Sequence, residues 1–215
     1  MNKSMNHCFT KDDFLSNRTR RIKKGTHLLY AGTKHQNNCF LILKGSLSIC
    51  LISAGGHEML LYHLREHQLI GELAMFGEAT RSATAIADED SLLLEISEKE
   101  FKEKLKDYTF LKSMTDMFLQ RYLKTHDVVC RLSQPNISMK ICHYVKSLAD
   151  QVEGKEKRVR VLMPSHGELA MLISCQRETI TREMKKLVNQ GVVVKDTGSW
   201  FYVDRNKANA FLSEQ

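Results

Sequence analysis

The sequence predicts an α+β fold in which an N-terminal β-roll or β-sandwich gives way to one long helix, then to a small helical domain closed by a strand pair. Three observations predict it. Seven short apolar runs separated by turn residues lie between Arg21 and Ile96. No Gly or Pro occurs from Asp107 to Gln134. Two capped, amphipathic segments follow one another between Ser165 and Asn189.

The runs HLLYAG, CFLILKG, SLSICLISAGG, EMLLYHL, LIGELAMF, SATAIA and SLLLEI have the length and spacing of strands in a sandwich or roll. Gly32, Gly45, Gly55-Gly56 and Gly71 stand at turn positions, and Ser53-Ala54-Gly55-Gly56 reads as a hairpin tip. At Ser97 the pattern changes, because Glu100 three residues on forms a capping box that opens a helix. In the long segment after Asp107, Leu111, Met114, Phe118, Arg121, Thr125, Val128 and Leu132 alternate spacings of three and four. A helix of about 25 residues would be about 37 Å long, more than is needed to cover a domain of this size. A second copy of the helix is therefore expected across this seam, in preference to packing on the β-domain alone, with Arg121 and Thr125 as its polar specificity positions. Pro135 stops the helix, Asn136 caps ISMKICHYVKSLADQV, and the break is a hinge. EGKEKRVRVLM then reads as a charged turn and an edge strand. The expected division is residues 1–108 for the β-domain, 109–135 for the long helix and 136–215 for the C-terminal domain.

With 42% apolar and 27% charged residues in 215, the composition is that of an ordinary globular chain. No apolar run approaches the ~18 residues of a membrane span, and MNKSMNHCFTKDDF lacks an apolar signal core, so a cytoplasmic protein with no membrane partner is expected. Cys8, Cys39, Cys50, Cys130, Cys142 and Cys175 are widely spread, with no C-x-x-C, which fits neither a disulfide framework nor a zinc or iron–sulfur site. The histidines are equally scattered, and the closest pair, His63 and His67, falls in a strand and turn, so no metal is expected. The net charge of +7 comprises an excess of four cations in residues 136–215 and three in the longer remainder, which suggests a polyanionic partner for the C-terminal domain.

SHGELAMLISCQRETITREMKKLVNQGVVVKD gives that partner a reader. Ser165, with Glu168 three residues on, caps a short helix, a tight turn follows at Ile173-Ser174-Cys175, and a longer helix runs through Asn189 to Gly191. Two helices joined by so short a turn form a helix-turn-helix. On the second, Arg177, Glu178, Thr181, Arg182 and Lys185 share one side, while Ile180, Met184 and Leu187 share the other. Arginine pairs with guanine, glutamate accepts from cytosine, and Thr or Lys holds phosphate, so the polar side is a reader of double-stranded DNA. VVVKDTGSWFYVDR reads as a two-strand wing turning at Thr197-Gly198-Ser199.

IGELAMFGEATRSA is the second informative stretch. It places Glu72 directly after Gly71 and, nine residues on, Arg81 followed by Ser82. Opposite charges of this kind suit a ligand that is both polar and anionic. A surface ion pair between Glu72 and Arg81 is the alternative.

CQRETITR resembles the recognition helix of the Crp/Fnr transcription regulators, and GELAMF with RSA resembles the phosphate-binding cassette of the family's cyclic-AMP-responsive members. The resemblance covers the chain from about Ile22 and implies a cyclic-nucleotide-binding β-roll, a dimerisation helix and a winged helix-turn-helix. It implies a regulator and not an enzyme, with cyclic AMP as effector: Glu72 accepts from the ribose 2′-hydroxyl, Arg81 and Ser82 hold the cyclic phosphate, and Gly71, Leu73, Ala74 and Ala83 frame them. RYLKT supplies Arg121 to pair with the cassette glutamate and Thr125 to meet the adenine amino group. His126 stands where the cyclic-AMP-responsive members have a serine, and the cassette turn is one residue shorter. Both departures favour the alternative of DNA binding without cyclic AMP or with a different ligand. The family's iron–sulfur branch needs an N-terminal cysteine cluster, and only Cys8 lies there; Met75 and Gly77 provide no haem ligand. On the DNA side the resemblance implies a homodimer that reads palindromic TGTGA-like half-sites through Arg177, Glu178 and Arg182, with Gln176 and Thr179 on phosphate. RNA polymerase is the implied further partner, and RTRRIKK (Arg18 to Lys24) a candidate surface for it.

Overall fold

The computed structural model describes residues 9–213 apart from positions 17, 35, 54, 57 and 78, so Cys8, Ala54 of the hairpin tip and Glu78 of the cassette turn lie outside the described residues. The chain forms two compact units, residues 1–125 and 126–215.

The first unit contains two four-stranded antiparallel sheets. One has the order β1 (Thr19–Ile22), β8 (Ser91–Ser97), β3 (Asn38–Lys44), β6 (Leu69–Ile70). The other has the order β2 (His27–Leu29), β7 (Thr84–Ala87), β4 (Leu47–Ile52), β5 (Glu58–Leu64). Each of the seven apolar runs contributes a strand, and Gly56 N–H donates to Ser53 O at the predicted hairpin tip (2.9 Å). Strand β3 is buried on both faces, which is why CFLILKG reads as a continuous apolar run. Phe40 and Ile42 pack with Ile49, Leu64 and Leu93, whereas Cys39 and Leu41 pack with Leu94, Ile96 and the helical side chains Phe101, Phe110 and Met114. A one-residue slip of β3 would exchange these two sets, so both cores fix its register.

LIGELAMF departs from the strand reading. The strand ends at Ile70, Gly71 is left-handed (φ 77°), and Glu72–Phe76 form a 3-10 turn closed by Gly77 (φ 99°). The apolar residues still reach the core, through Ala74 and Met75, so burial pattern alone could not distinguish turn from strand. Helix α1 (Glu98–Lys104) is capped as expected, with Ser97 Oγ accepting the Glu100 N–H. The Glu100 carboxylate, expected to complete a capping box, instead accepts the Ser16 N–H at 2.8 Å and ties down the N-terminal segment.

Helix α2 (Tyr108–Leu132) has 25 residues. Its inward row is Phe110, Met114 and Met117, all buried in the core shared with β3 and β8. The exposed apolar row is Leu111, Leu119, Tyr122 and Val129, so the predicted seam is corrected by rotation about the helix axis. Met114, Phe118 and Arg121 belong to the β-unit. Apolar residues on two adjacent faces of a 3.6-residue helix make interleaved rows, and the three-four count in the sequence had followed a line between them.

In the second unit, α3 (Ile137–Asp150) begins at Asn136, whose Oδ1 accepts the Met139 N–H. Strands β9 (Arg158–Leu162), β10 (Val193–Lys195) and β11 (Trp200–Asp204) form one antiparallel sheet in the order β10-β11-β9. The wing thus has three strands, the third being the stretch that reads as an isolated edge strand. The C-terminal helix, Arg205–Ser213, goes unsignalled in the sequence because its capping residue, Asp204, is also the last residue of β11. No helix among the described residues is long and apolar enough to cross a membrane.

Candidate functional site

Glu72 is 2% exposed and Arg81 is 7% exposed, yet they are not partners. The Arg121 guanidinium, on α2, donates to Glu72 Oε1 with one nitrogen and to the Leu69 carbonyl with the other. Arg81 donates to the Gly71 carbonyl (2.8 Å) and to the carbonyl and Oδ1 of Asn38 (2.9 and 3.0 Å). The alternative of a surface Glu72–Arg81 pair is therefore corrected: both groups are buried, and Glu72 pairs with the helix. Burial lowers the pKa of Arg81, against the opposing influence of Cys39 and Glu72. Gly71 is required twice over, since its φ is left-handed and a Cβ there would stand 2.5 Å from Arg81 Nη1.

These groups surround a cavity of about 250 Å³. Nine of the ten predicted ligand contacts line it: Gly71, Glu72, Leu73, Ala74, Arg81, Ser82, Ala83, Arg121 and Thr125. The tenth, His126, is exposed on α2, with its ring nitrogens 3.7 and 3.8 Å from Cys130 Sγ. Two guanidiniums against one carboxylate leave a formal positive charge beside the cavity, which favours an anionic guest. Leu29, Ile49, Leu64 and Phe118 make the rest of the wall largely apolar. Sequence reasoning missed three participants. Asn38 orients Arg81, the Leu69 carbonyl holds Arg121, and Tyr62 lines the cavity. Backbone acceptors leave no trace in side-chain patterns, and Asn38 is remote from the cassette in sequence.

The second unit presents the helix-turn-helix. Helix α4 (His166–Ile173) is capped by Ser165, Ser174 turns in the left-handed region (φ 59°), and α5 (Arg177–Asn189) ends before left-handed Gly191. Ile180, Met184 and Leu187 are buried as expected. Gln176, Arg177, Glu178, Arg182 and Lys185 are exposed, and Thr179 and Thr181 are half-buried. The side chains of Arg177, Glu178 and Lys185 have no hydrogen-bond or ion-pair partner among the described residues. Thr181 Oγ1 lies 2.9 Å from His166 Nδ1, tying α5 to α4.

Glu183, which sequence reasoning passed over, is buried on α5 and accepts from Ser138 Oγ at the start of α3 (2.5 Å), from Lys186 (2.7 Å) and from Arg182 Nε (3.1 Å). The Lys186 and Ser138 hydrogen bonds, with that of Arg182 and against burial, hold its pKa at about 2. A carboxylate depressed in this way adds stability that is present above its ordinary range and lost as pH falls towards the folded value. The acid limb of the melting curve between pH 4.5 and about 2 is therefore expected to flatten in Glu183→Gln, as measured by circular dichroism of the full chain.

Among the described residues no group of three or more His, Cys, Asp or Glu side chains could hold a metal. A cyclic nucleotide-binding domain model matches residues 19–108, and a Crp-like helix-turn-helix domain model matches residues 139–207. The chain is 26% identical over 183 residues to the cAMP-activated global transcriptional regulator Vfr of Pseudomonas aeruginosa, covering 81% of this chain and 84% of the relative. It is 28% identical over 175 residues to the cyclic AMP receptor protein of Thermus thermophilus, covering 81% and 78%. The solved structure of the c-di-GMP responsive global regulator CLP of Xanthomonas campestris shares the fold with a TM-score of 0.69 at 21% identity, covering 87% of this chain and 93% of that one. A cyclic nucleotide-binding domain and a Crp-like helix-turn-helix domain thus occur in that order in one chain, and the protein belongs to the Crp/Fnr family of DNA-binding transcription regulators.

Proposed function

We propose that this regulator binds cyclic AMP in the cavity of its first unit, acts as a homodimer, and binds a palindromic DNA site with TGTGA-like half-sites when the nucleotide is present. The observation that carries this reading is the set of buried Glu72, buried Arg81 and half-buried Arg121, which lines one cavity with a carboxylate for a hydroxyl and guanidiniums for a phosphate. Ser82, exposed at the cavity lining, adds a hydroxyl donor beside Arg81. Size supports a mononucleotide. A cavity of about 250 Å³ sits at or below the lower end of the ~300–1,000 Å³ typical of ligand pockets. A cavity of this size suits a mononucleotide better than a cyclic dinucleotide.

The exposed row Leu111, Leu119, Tyr122 and Val129 on α2 supports pairing with a second copy. Two recognition helices would then read half-sites about 34–36 Å apart. Arg177, Glu178 and Arg182 are the base readers, Gln176, Thr179, Thr181 and Lys185 the phosphate contacts. Arg182→Ala is expected to cost about 1–3 kcal/mol of DNA affinity and to relax base preference at one position; equal weakening on all sequences, by fluorescence anisotropy, would place Arg182 on phosphate instead. Strand β1 lies at a sheet edge with Arg20 and Arg21 exposed, which leaves this basic segment accessible as a surface for RNA polymerase.

The second reading is a regulator that binds DNA without cyclic AMP or responds to another small ligand, favoured by His126 in place of the family's serine and by the shorter cassette turn. Anisotropy of palindromic TGTGA-containing DNA, titrated with cyclic AMP and with cyclic GMP at one salt concentration, separates the two. Tightening by cyclic AMP supports the first; equal binding with and without either nucleotide supports the second.

A further inference from the structure

The polar groups of the cavity divide into those already engaged and those still open to a guest. Arg81 is held by Gly71 and Asn38, and Arg121 and Glu72 hold each other. Of the lining hydroxyls, those of Tyr62, Thr80, Ser82 and Thr125 make no hydrogen bond among the described residues, and of these Thr80 and Ser82 flank Arg81 in the cassette while Tyr62 and Thr125 stand apart from it in sequence. Tyr62 stands on β5 opposite Ile49 of β4, another lining residue. Its ring is half-buried, with Lys124 Nζ of α2 5.7 Å from the centroid. Burial raises the pKa of its phenol, with Arg121 acting against that and Glu72 with it, so the hydroxyl lies within electrostatic reach of the Glu72–Arg121 pair.

A heteroaromatic base needs an apolar face and hydrogen-bonding partners for its edge. The phosphate and ribose functions fall to Arg81, Ser82 and Glu72. Tyr62 offers both remaining requirements in one side chain, an aromatic ring that limits the space and a hydroxyl that can donate or accept. Its ring is rigid and backed by a cation, so it adapts little to a base of different outline. We propose that Tyr62 is the specificity-determining residue of this cavity: its ring bounds the space for the base and its hydroxyl, together with that of Thr125, hydrogen-bonds the base edge. The inference rests on the cyclic-nucleotide reading above.

The test is calorimetric titration of the full-length protein with cyclic AMP and, separately, cyclic GMP, for the wild type, Tyr62→Phe and Tyr62→Ala. Tyr62→Phe keeps the ring and removes only the hydroxyl, so it is expected to fold with an unchanged circular dichroism spectrum. Its affinity for the preferred nucleotide should fall about 3- to 10-fold. Tyr62→Ala removes the wall, and its two dissociation constants should converge to within about threefold. Wild-type affinity and wild-type preference in both variants would overturn the role of Tyr62 and leave the nucleotide reading intact. A wild-type protein that releases no heat with either nucleotide would overturn both.

Discussion

Arg121→Ala is expected to destabilise the β-unit by about 3–5 kcal/mol, because it leaves Glu72, 2% exposed, as a buried carboxylate without its cation. Urea unfolding of the full chain at pH 7, followed by circular dichroism, measures the loss. The effect belongs to the pair and not to the arginine alone. Once Glu72→Gln has removed the charge, adding Arg121→Met should cost at least ~2 kcal/mol less than Arg121→Met does in the wild type. Additive losses in that cycle would mean that Glu72 is compensated by some other group and that the helix is not electrostatically tied to the cassette.

Arg81→Ala is expected to lower cyclic AMP affinity at least ~100-fold, since two charge-assisted hydrogen bonds to phosphate of about 1.5–3 kcal/mol each are lost. DNA affinity without nucleotide should stay as it is in the wild type. Arg81 also braces the Gly71 carbonyl and Asn38, so Arg81→Lys is the necessary companion. Lysine keeps the charge and loses the planar fork, and it should recover part of the phosphate affinity but not the bracing. Unchanged cyclic AMP titration of the DNA complex in Arg81→Ala would remove Arg81 from the phosphate site.

What could be read from the sequence depended on how local the determining physics is. Ser97, Asn136 and Ser165 mark helix starts because a cap is an interaction over three residues, and each does accept the expected N–H. The helix-turn-helix is legible for the same reason, since its caps, left-handed turn and buried row all lie within 27 residues from Ser165 to Gly191. The Glu72–Arg121 pair spans 49 positions, and only the resemblance indicated it. Asn38 and the Leu69 carbonyl were invisible, because their role exists only once two strands and a helix have met. The apolar row of α2 was misplaced because burial against the β-unit and exposure on the adjacent face both recruit apolar residues, and composition cannot assign a face. LIGELAMF misled similarly, since a 3-10 turn and a strand can both bury alternate side chains.

Tyr122 is exposed in the outer row of α2, and it also lines the cavity, as does its exposed neighbour Thr125. In the proposed dimer, a guest in the cavity would therefore alter the surroundings of side chains that the facing helix touches. News of occupancy would then travel sideways, across the width of one helix. It would not have to propagate along the helix axis to be noticed by a partner, and a bend or fray at the far end of α2 would leave that message intact.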